Sequence, residues 1–87
     1  MKSIQVTIKN QVGLHARPAT LFVQTAQKHT AEVTVSYEGK IVNAKSLLSL
    51  LSLGITKDAV ITVAANGDDE EAVLNALTTL IENNFGE

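Results

Sequence analysis

The chain has 87 residues, 45% of them hydrophobic, and a formal net charge of −2. This is sufficient for one small domain with its own core, and the lack of an overall basic field argues against direct binding of nucleic acid. The absence of cysteine excludes disulfides, thiolate catalysis and zinc–thiolate sites. No long apolar segment stands near the N-terminus, so we expect neither a secretory signal nor membrane insertion. We therefore expect the protein in the cytoplasm.

The hydrophobic pattern predicts the element order β-α-β-β-α-β-α. Alternating apolar residues predict strands, and apolar residues at helical spacing predict helices. In chain order we expect a strand over residues 4–8, a loop over 10–13, a helix over 16–28, a hairpin of strands over 33–37 and 40–43, a short helix over 46–53, a strand over 59–65 and a last helix from residue 68. Such helices would cover one face of a mainly antiparallel sheet, so the predicted fold class is α+β, as one domain over residues 1–87.

Two of the predicted helices carry an apolar stripe that would face this core. In the first helix the stripe consists of Ala19, Phe22, Val23 and Ala26. In the last helix it consists of Val73, Leu74, Leu77, Leu80 and Ile81. Four acidic residues at 68–71 stand at the start of the last helix, where the helix dipole favours negative charge.

Residues 13–19 bring several rare residue types close together. They include His15, the only arginine (Arg17) and the only proline (Pro18) of the chain. Pro18 predicts a helix start, which places His15 at a helix N-terminus, where free N–H groups and the dipole favour an anion. A neutral imidazole nitrogen can attack phosphorus, so one interpretation is a phosphoryl-carrying His15 assisted by Arg17. A surface histidine that caps the helix is the alternative, and we expect no metal site.

Five leucines crowd the short helix: Leu47, Leu48, Leu50, Leu51 and Leu53. At about 100° per residue, Leu47, Leu48 and Leu51 share one face, and Leu50 and Leu53 point to nearly the opposite side. A helix on a sheet buries one stripe, so one leucine group is expected to be exposed as a partner-binding surface. The alternative is a helix buried on both sides, and the sequence does not say which face points outward.

Ser46 immediately precedes the short helix. Its ordinary role is that of an N-cap. A regulatory phosphate at the same position is also tolerated electrostatically, because it would stand at a helix start beside Lys45. The local sequence leaves both roles open.

The motif Gly-Leu-His-Ala-Arg-Pro-Ala at residues 13–19, followed by Asn-Ala-Lys-Ser-Leu at 43–47 and Ser-Leu-Gly at 52–54, resembles the HPr family. These proteins are the histidine-containing phosphocarriers of the bacterial phosphoenolpyruvate:sugar phosphotransferase system. The resemblance covers essentially the whole chain. It implies an open-faced β-sandwich, in which a four-stranded antiparallel sheet is covered on one face by three helices.

The resemblance also implies roles for the singled-out residues. His15 would accept a phosphoryl group on Nδ1 from phosphorylated enzyme I and donate it to sugar-specific IIA domains for sugar uptake, and Arg17 would bind the phosphoryl group. The partner-binding residues would be Leu47, Leu48 and Leu51. Ser46 would be phosphorylated by the HPr kinase/phosphorylase, and the product would bind a catabolite control repressor. The protein would be a carrier rather than an enzyme, without a cofactor, and a monomer.

The chain departs from many Gram-positive relatives at three positions of the short helix. Leu48 and Leu51 stand where those relatives have methionine, and Ser49 stands where they have glycine. Other interpretations are a nitrogen-branch phosphocarrier, a regulatory binding module that acts through Ser46 and the leucines, and a regulatory domain for a small molecule without phosphotransfer.

Overall fold

The computed structural model describes residues 1–86, and within them the predicted elements occur in the predicted order. The bounds are β1 Lys2–Thr7, α1 Arg17–Gln27, β2 Glu32–Tyr37, β3 Lys40–Asn43, α2 Leu47–Leu51, β4 Val60–Asn66 and α3 Glu70–Glu82, followed by a 3₁₀ turn at Asn84–Gly86.

The strands form one antiparallel sheet with the order β1-β4-β2-β3. Buried residues alternate with more exposed ones along β2 (Val33 and Val35) and β4 (Ile61, Val63 and Ala65), as expected for a sheet that is covered on one face. The helices cover this face, and their apolar stripes join the inward-facing strand residues in one core. The open-faced β-sandwich with a four-stranded antiparallel sheet and three helices is therefore confirmed.

The helices begin and end close to the predicted bounds, with three differences. α1 begins at Arg17, so Ala16 is the N-cap and Pro18 the second helical residue. α2 is shorter than expected, because residues 52–53 form a turn after it. α3 begins at Glu70, so only Glu70 and Glu71 of the four acids stand in its first turn.

Asp69 is the N-cap residue of α3, as expected for an acid at the helix start, but its side chain makes a tertiary contact and does not cap the helix. Its carboxylate accepts hydrogen bonds from the backbone N–H groups of Thr30, at 2.9 Å, and Ala31, at 2.7 Å. The Thr30 N–H does most to lower the pKa of Asp69 below its ordinary value, with help from the Ala31 N–H and the Thr30 hydroxyl and against the effect of burial. This contact joins the start of α3 to the turn between α1 and β2.

A membrane-crossing helix would need to be longer and more apolar than any helix found within residues 1–86.

Candidate functional site

His15 lies exposed in the loop between β1 and α1, two residues before the first residue of the helix. The first intrahelical bond runs from the Thr20 N–H to the Ala16 carbonyl, at 3.1 Å. Within residues 1–86 the N–H groups of Ala16, Arg17 and Ala19 donate no hydrogen bond, and Pro18 has no N–H. The helix start beside His15 therefore offers free donors for an anion.

The loop before His15 is braced on both sides. The Asn10 side chain donates from Nδ2 to the Gly13 carbonyl at 2.7 Å, and the Gly13 N–H donates back to the Asn10 carbonyl at 3.2 Å. The Leu14 N–H donates to the Ile55 carbonyl at 3.0 Å. Gly13 has a φ of +67°, and a Cβ there would lie 2.7 Å from Cα of Thr56, so only glycine fits this close approach.

Ala16, directly after His15, has an unusual backbone conformation. Its φ is 54° and its ψ is −123°, a region that residues with a side chain rarely adopt. Such strain costs about 1–3 kcal/mol and is common at functional sites.

Arg17 is exposed at the first position of α1. Its guanidinium forms no ion pair and no hydrogen bond with any residue in the described range 1–86. A guanidinium without a protein partner is available to bind an anion with two parallel hydrogen bonds.

The two leucine groups of α2 separate as the helical spacing predicts. Leu50 is fully buried and Leu53 is buried, whereas Leu48 is 82% and Leu47 is 37% exposed, and Leu51 is half-buried. We refer to Leu47, Leu48 and Leu51 as the leucine face. The helix is not buried on both sides, so that alternative was wrong.

The end of α2 is next to the loop that carries His15. Ile55, which accepts the hydrogen bond from Leu14, stands only a few residues after the last residue of α2. The hydrogen bond from the Leu14 N–H thus ties the segment that follows α2 to the loop that carries His15.

Ser46 stands at the opposite end of α2. Gln27 at the end of α1 donates from Nε2 to the Lys45 carbonyl at 3.1 Å, and Lys45 donates from Nζ to the His29 carbonyl at 2.7 Å. These contacts hold the start of α2 against the end of α1. His15 and Ser46 are thus at opposite ends of α1, which is about 15 Å long at about 1.5 Å per residue.

The N-cap role of Ser46 is confirmed. Its backbone is extended, its Oγ accepts a hydrogen bond from the Ser49 N–H at 3.4 Å, and its carbonyl accepts one from the Leu50 N–H at 3.0 Å. The side chain is half-buried. It contributes to helix formation without being enclosed.

Charge is strongly segregated along the chain. Residues 8–31 and 39–57, which contain the His15 loop, α1 and α2, hold Lys9, Arg17, Lys28, Lys40, Lys45 and Lys57 and no acid. The remaining residues hold Lys2 and all acidic residues of the chain. A net charge of −2 therefore conceals a cationic part of the chain around the candidate site.

The sequence pattern missed two features of the site. Asn10 was assigned to a loop, but it is only 4% exposed and is the one buried polar residue within residues 1–86. Val12, three residues before His15, is exposed. A polar residue in a polar loop gives no sequence signal of burial, because burial depends on contacts with segments that are distant in the sequence. No group of three His, Asp or Glu side chains suited to a metal ion occurs in the described range.

Comparison with known proteins agrees with this geometry. A family model described as the PTS HPr component phosphorylation site matches residues 2–83. A structure of HPr-C-His from Thermoanaerobacter tengcongensis superposes with a TM-score of 0.98 at 50% identity, covering 100% of this chain and 98% of that one. The phosphocarrier protein HPr from Bacillus anthracis str. Ames gives 0.89 at 39% identity, covering 92% and 95%. An HPr dimer from T. tengcongensis gives 0.82 at 50% identity, covering 100% of each chain.

Proposed function

The chain belongs to the HPr family of phosphotransferase-system phosphocarriers, and from this we propose that His15 is its phosphoryl acceptor and that Arg17 binds the phosphoryl group. Phosphorylated enzyme I is the donor. Sugar-specific IIA domains are the acceptors, and the transfer serves sugar uptake.

One observation carries this proposal. The exposed imidazole of His15 stands at a helix start where three N–H groups have no partner within residues 1–86, beside the unpaired guanidinium of Arg17. Free N–H groups and a guanidinium are the donors that a phosphoryl dianion requires. A helix-capping histidine would instead engage these N–H groups, whereas His15 forms no hydrogen bond within the described residues.

The transfer needs no change in the protonation of His15. The lone pair of Nδ1 forms a bond to phosphorus while the bond from phosphorus to the donor atom breaks, and the bonding electron pair stays with the donor. The proton on Nε2 remains in place. Because the site is open to solvent, phosphohistidine is held by few contacts and can pass to the next partner. The partner's nucleophile then forms a bond to phosphorus while the Nδ1–phosphorus bond breaks and its electron pair returns to Nδ1.

Docking of both partners uses the leucine face. Leu48 in particular is an apolar side chain with nothing packed over it, and such side chains in a cluster are typical of interaction sites. The surrounding cationic residues favour partners with an acidic rim, since complementary charge accelerates encounter.

Ser46 is the regulatory site in this proposal. Its half-buried hydroxyl at the start of α2 could be phosphorylated by the HPr kinase/phosphorylase, and the phosphate would be tolerated by the helix N-terminus. The added charge would lie beside the leucine face and reduce docking of enzyme I. Phosphoserine would also provide a binding feature for a catabolite control repressor.

The protein acts as a monomeric carrier in the cytoplasm and not as an autonomous enzyme. A shuttle must expose the same surface to successive partners, which favours a monomer. Sedimentation of the purified chain at micromolar concentration is expected to give a single species with the mass of one chain. A stable dimer would contradict this part of the proposal.

The test of His15 is intact-mass measurement after incubation with phosphoenolpyruvate and enzyme I. The wild type should gain one phosphoryl group that is lost in mild acid, and His15→Ala should gain none while keeping its fold. The control is His29→Ala, which should be phosphorylated like the wild type. Full phosphorylation of His15→Ala would refute the assignment.

The same measurement separates the other functions. An acid-stable adduct formed with ATP and the kinase, and absent from Ser46→Ala, supports regulation through Ser46. Uptake from the nitrogen-branch donor alone would assign the chain to that branch. If neither adduct forms, the remaining interpretation is a regulatory domain for a small molecule without phosphotransfer.

A further inference from the structure

The loop that carries His15 contains a buried polar residue, Asn10, that lies outside the motif at residues 13–19. Asn10 is 4% exposed, although it stands in a connection between a strand and a helix, where polar side chains are normally solvated. Its Nδ2 donates to the Gly13 carbonyl at 2.7 Å. This distance is at the short end of the usual range for N–H···O hydrogen bonds.

This bond fixes the peptide group that precedes His15 by one residue. The Gly13 carbonyl belongs to the Gly13–Leu14 peptide, so its orientation also sets the direction of the Leu14 N–H. That N–H donates to the Ile55 carbonyl at 3.0 Å on the opposite side of the loop. The peptide is thus held at its oxygen by Asn10 and at its nitrogen by Ile55.

The same side chain leaves one of its own polar atoms unsatisfied. Asn10 Oδ1 is buried and has no hydrogen-bond partner within residues 1–86. An orphaned buried acceptor lowers stability, and a residue retained only for stability would be expected to pair both ends of its amide. The arrangement therefore favours a role for the Nδ2–H donor in the geometry of the loop.

We infer that Asn10 is a positioning residue for phosphoryl transfer: its Nδ2–H donor orients the Gly13–Leu14 peptide and thereby fixes where the His15 imidazole stands relative to the free N–H groups of α1. The inference rests on the proposed role of His15 as acceptor. Asn10 touches neither partner nor phosphoryl group, so it acts on the rate of transfer and not on docking, which uses the leucine face.

The test compares Asn10→Asp and Asn10→Ala with the wild type in single-turnover phosphorylation by enzyme I, over a range of carrier concentrations at pH 8. Asn10→Asp keeps the size of the side chain, but its carboxylate cannot donate to the Gly13 carbonyl. The matched control is Val73→Ala in the buried stripe of α3, which loosens the core away from the loop. Thermal unfolding of every variant establishes that it is folded at the assay temperature.

We expect both Asn10 variants to lower the maximal transfer rate by about tenfold or more, because small misplacements of a reacting group are costly, and to change the half-saturating concentration less than twofold. Val73→Ala should retain the wild-type rate. A wild-type rate in Asn10→Asp, an equal slowing in Val73→Ala, or loss of the fold in both Asn10 variants would overturn the inference. Failure of the wild type to take up a phosphoryl group would instead refute the role of His15.

Discussion

The two histidines of the chain stand at opposite ends of α1, and their surroundings make them chemically different. His29 is half-buried after the helix C-terminus, and its Nδ1 lies 3.0 Å from the Thr25 carbonyl. A carbonyl only accepts, so in this hydrogen bond Nδ1 of His29 is the donor and has no free lone pair for phosphorus, which leaves only Nε2. The partial negative charge of a helix C-terminus also disfavours a phosphoryl dianion. Position, and not residue type, selects His15.

Arg17 should affect the rate of transfer without being indispensable. Replacement of Arg17 by Ala leaves the free N–H groups of the helix start in place, and it removes a charge-assisted hydrogen bond of about 1.5–3 kcal/mol, less where solvent screens it. We expect Arg17→Ala to slow phosphoryl uptake from enzyme I by about tenfold, as measured by rapid-quench transfer kinetics. Arg17→Lys keeps the charge but loses the bidentate geometry, so its rate of phosphoryl uptake should lie between those of the wild type and Arg17→Ala. Unchanged kinetics in Arg17→Ala would exclude the guanidinium from the site.

At the scale of the element, α2 is a helix with two distinct faces. Leu50 is fully buried and faces the core, and Leu48 is exposed. The same substitution in the two positions should therefore separate stability from binding. No other helix within residues 1–86 offers a comparable pair so close together.

We expect Leu50→Ala to lower the free energy of unfolding by about 2–5 kcal/mol, because it removes buried methyl groups and leaves a cavity. Leu48→Ala should change it by less than about 0.5 kcal/mol and should weaken binding to enzyme I. Denaturant midpoints and partner titrations of both variants measure the two effects. A large loss of stability with normal binding in Leu48→Ala would show that the faces are reversed.

The start of α3 is an acid-sensitive element. Hydrogen bonds from Thr30 and Ala31 lower the pKa of Asp69 in the folded protein, so its contribution to stability is present above the unfolded-state value of about 3.9 and is lost as the pH falls through the lower folded-state value. Above about pH 5 the wild type should exceed Asp69→Asn in free energy of unfolding by a constant amount. This difference should shrink below about pH 4. Urea unfolding of both proteins at a series of pH values measures this difference in free energy of unfolding. A difference that does not change with pH would contradict a stabilising role for the ionised Asp69 carboxylate.

At the scale of the whole molecule, the proposed function couples Ser46 and His15 through a shared partner, enzyme I. The two residues lie near opposite ends of α1, a helix about 15 Å long, which exceeds the Debye length of about 10 Å at 0.1 M salt, so direct repulsion between the two sites is weak. A charge at Ser46 would instead enter an apolar docking surface, where desolvation is costly unless the partner supplies a cation. Regulation should therefore act on docking.

Ser46→Asp should weaken binding of enzyme I and leave the maximal transfer rate close to that of Ser46→Ala. Asp can still cap α2, so the fold should persist. Titration calorimetry and transfer kinetics on the two variants give the comparison, and higher salt should narrow the gap, since part of it is electrostatic. Equal affinity of enzyme I for both would leave Ser46 with only its capping role.

Much of the architecture follows from local patterns in the sequence. Alternation predicted the strands, and helical spacing predicted the buried stripes of α1 and α3. The spacing also sorted the leucines of α2 correctly. It could not say which group faces outward, because that depends on where the sheet lies.

The remaining features depend on contacts between distant residues. The carboxylate of Asp69 binds backbone 38 and 39 residues away, and the loop that carries His15 is held by the hydrogen bond from the Leu14 N–H to the distant Ile55 carbonyl. Phe85 is buried in the turn after α3, although no periodic pattern marks it. The motif around His15 could be identified from the sequence, whereas the hydrogen bonds from Asn10 to Gly13 and from Leu14 to Ile55 could not.

The central claim is that one particular atom, Nδ1 of His15, carries the phosphoryl group. Nitrogen-15 NMR of the uniformly labelled protein during phosphorylation by enzyme I and phosphoenolpyruvate tests it most directly, because coupling to phosphorus identifies the phosphorylated ring nitrogen. We predict phosphorus coupling and a large shift at Nδ1 of His15, with the ring of His29 unchanged. Coupling at His29, coupling at Nε2 of His15, or an acid-stable phosphate on a hydroxyl with both rings unchanged would contradict the account.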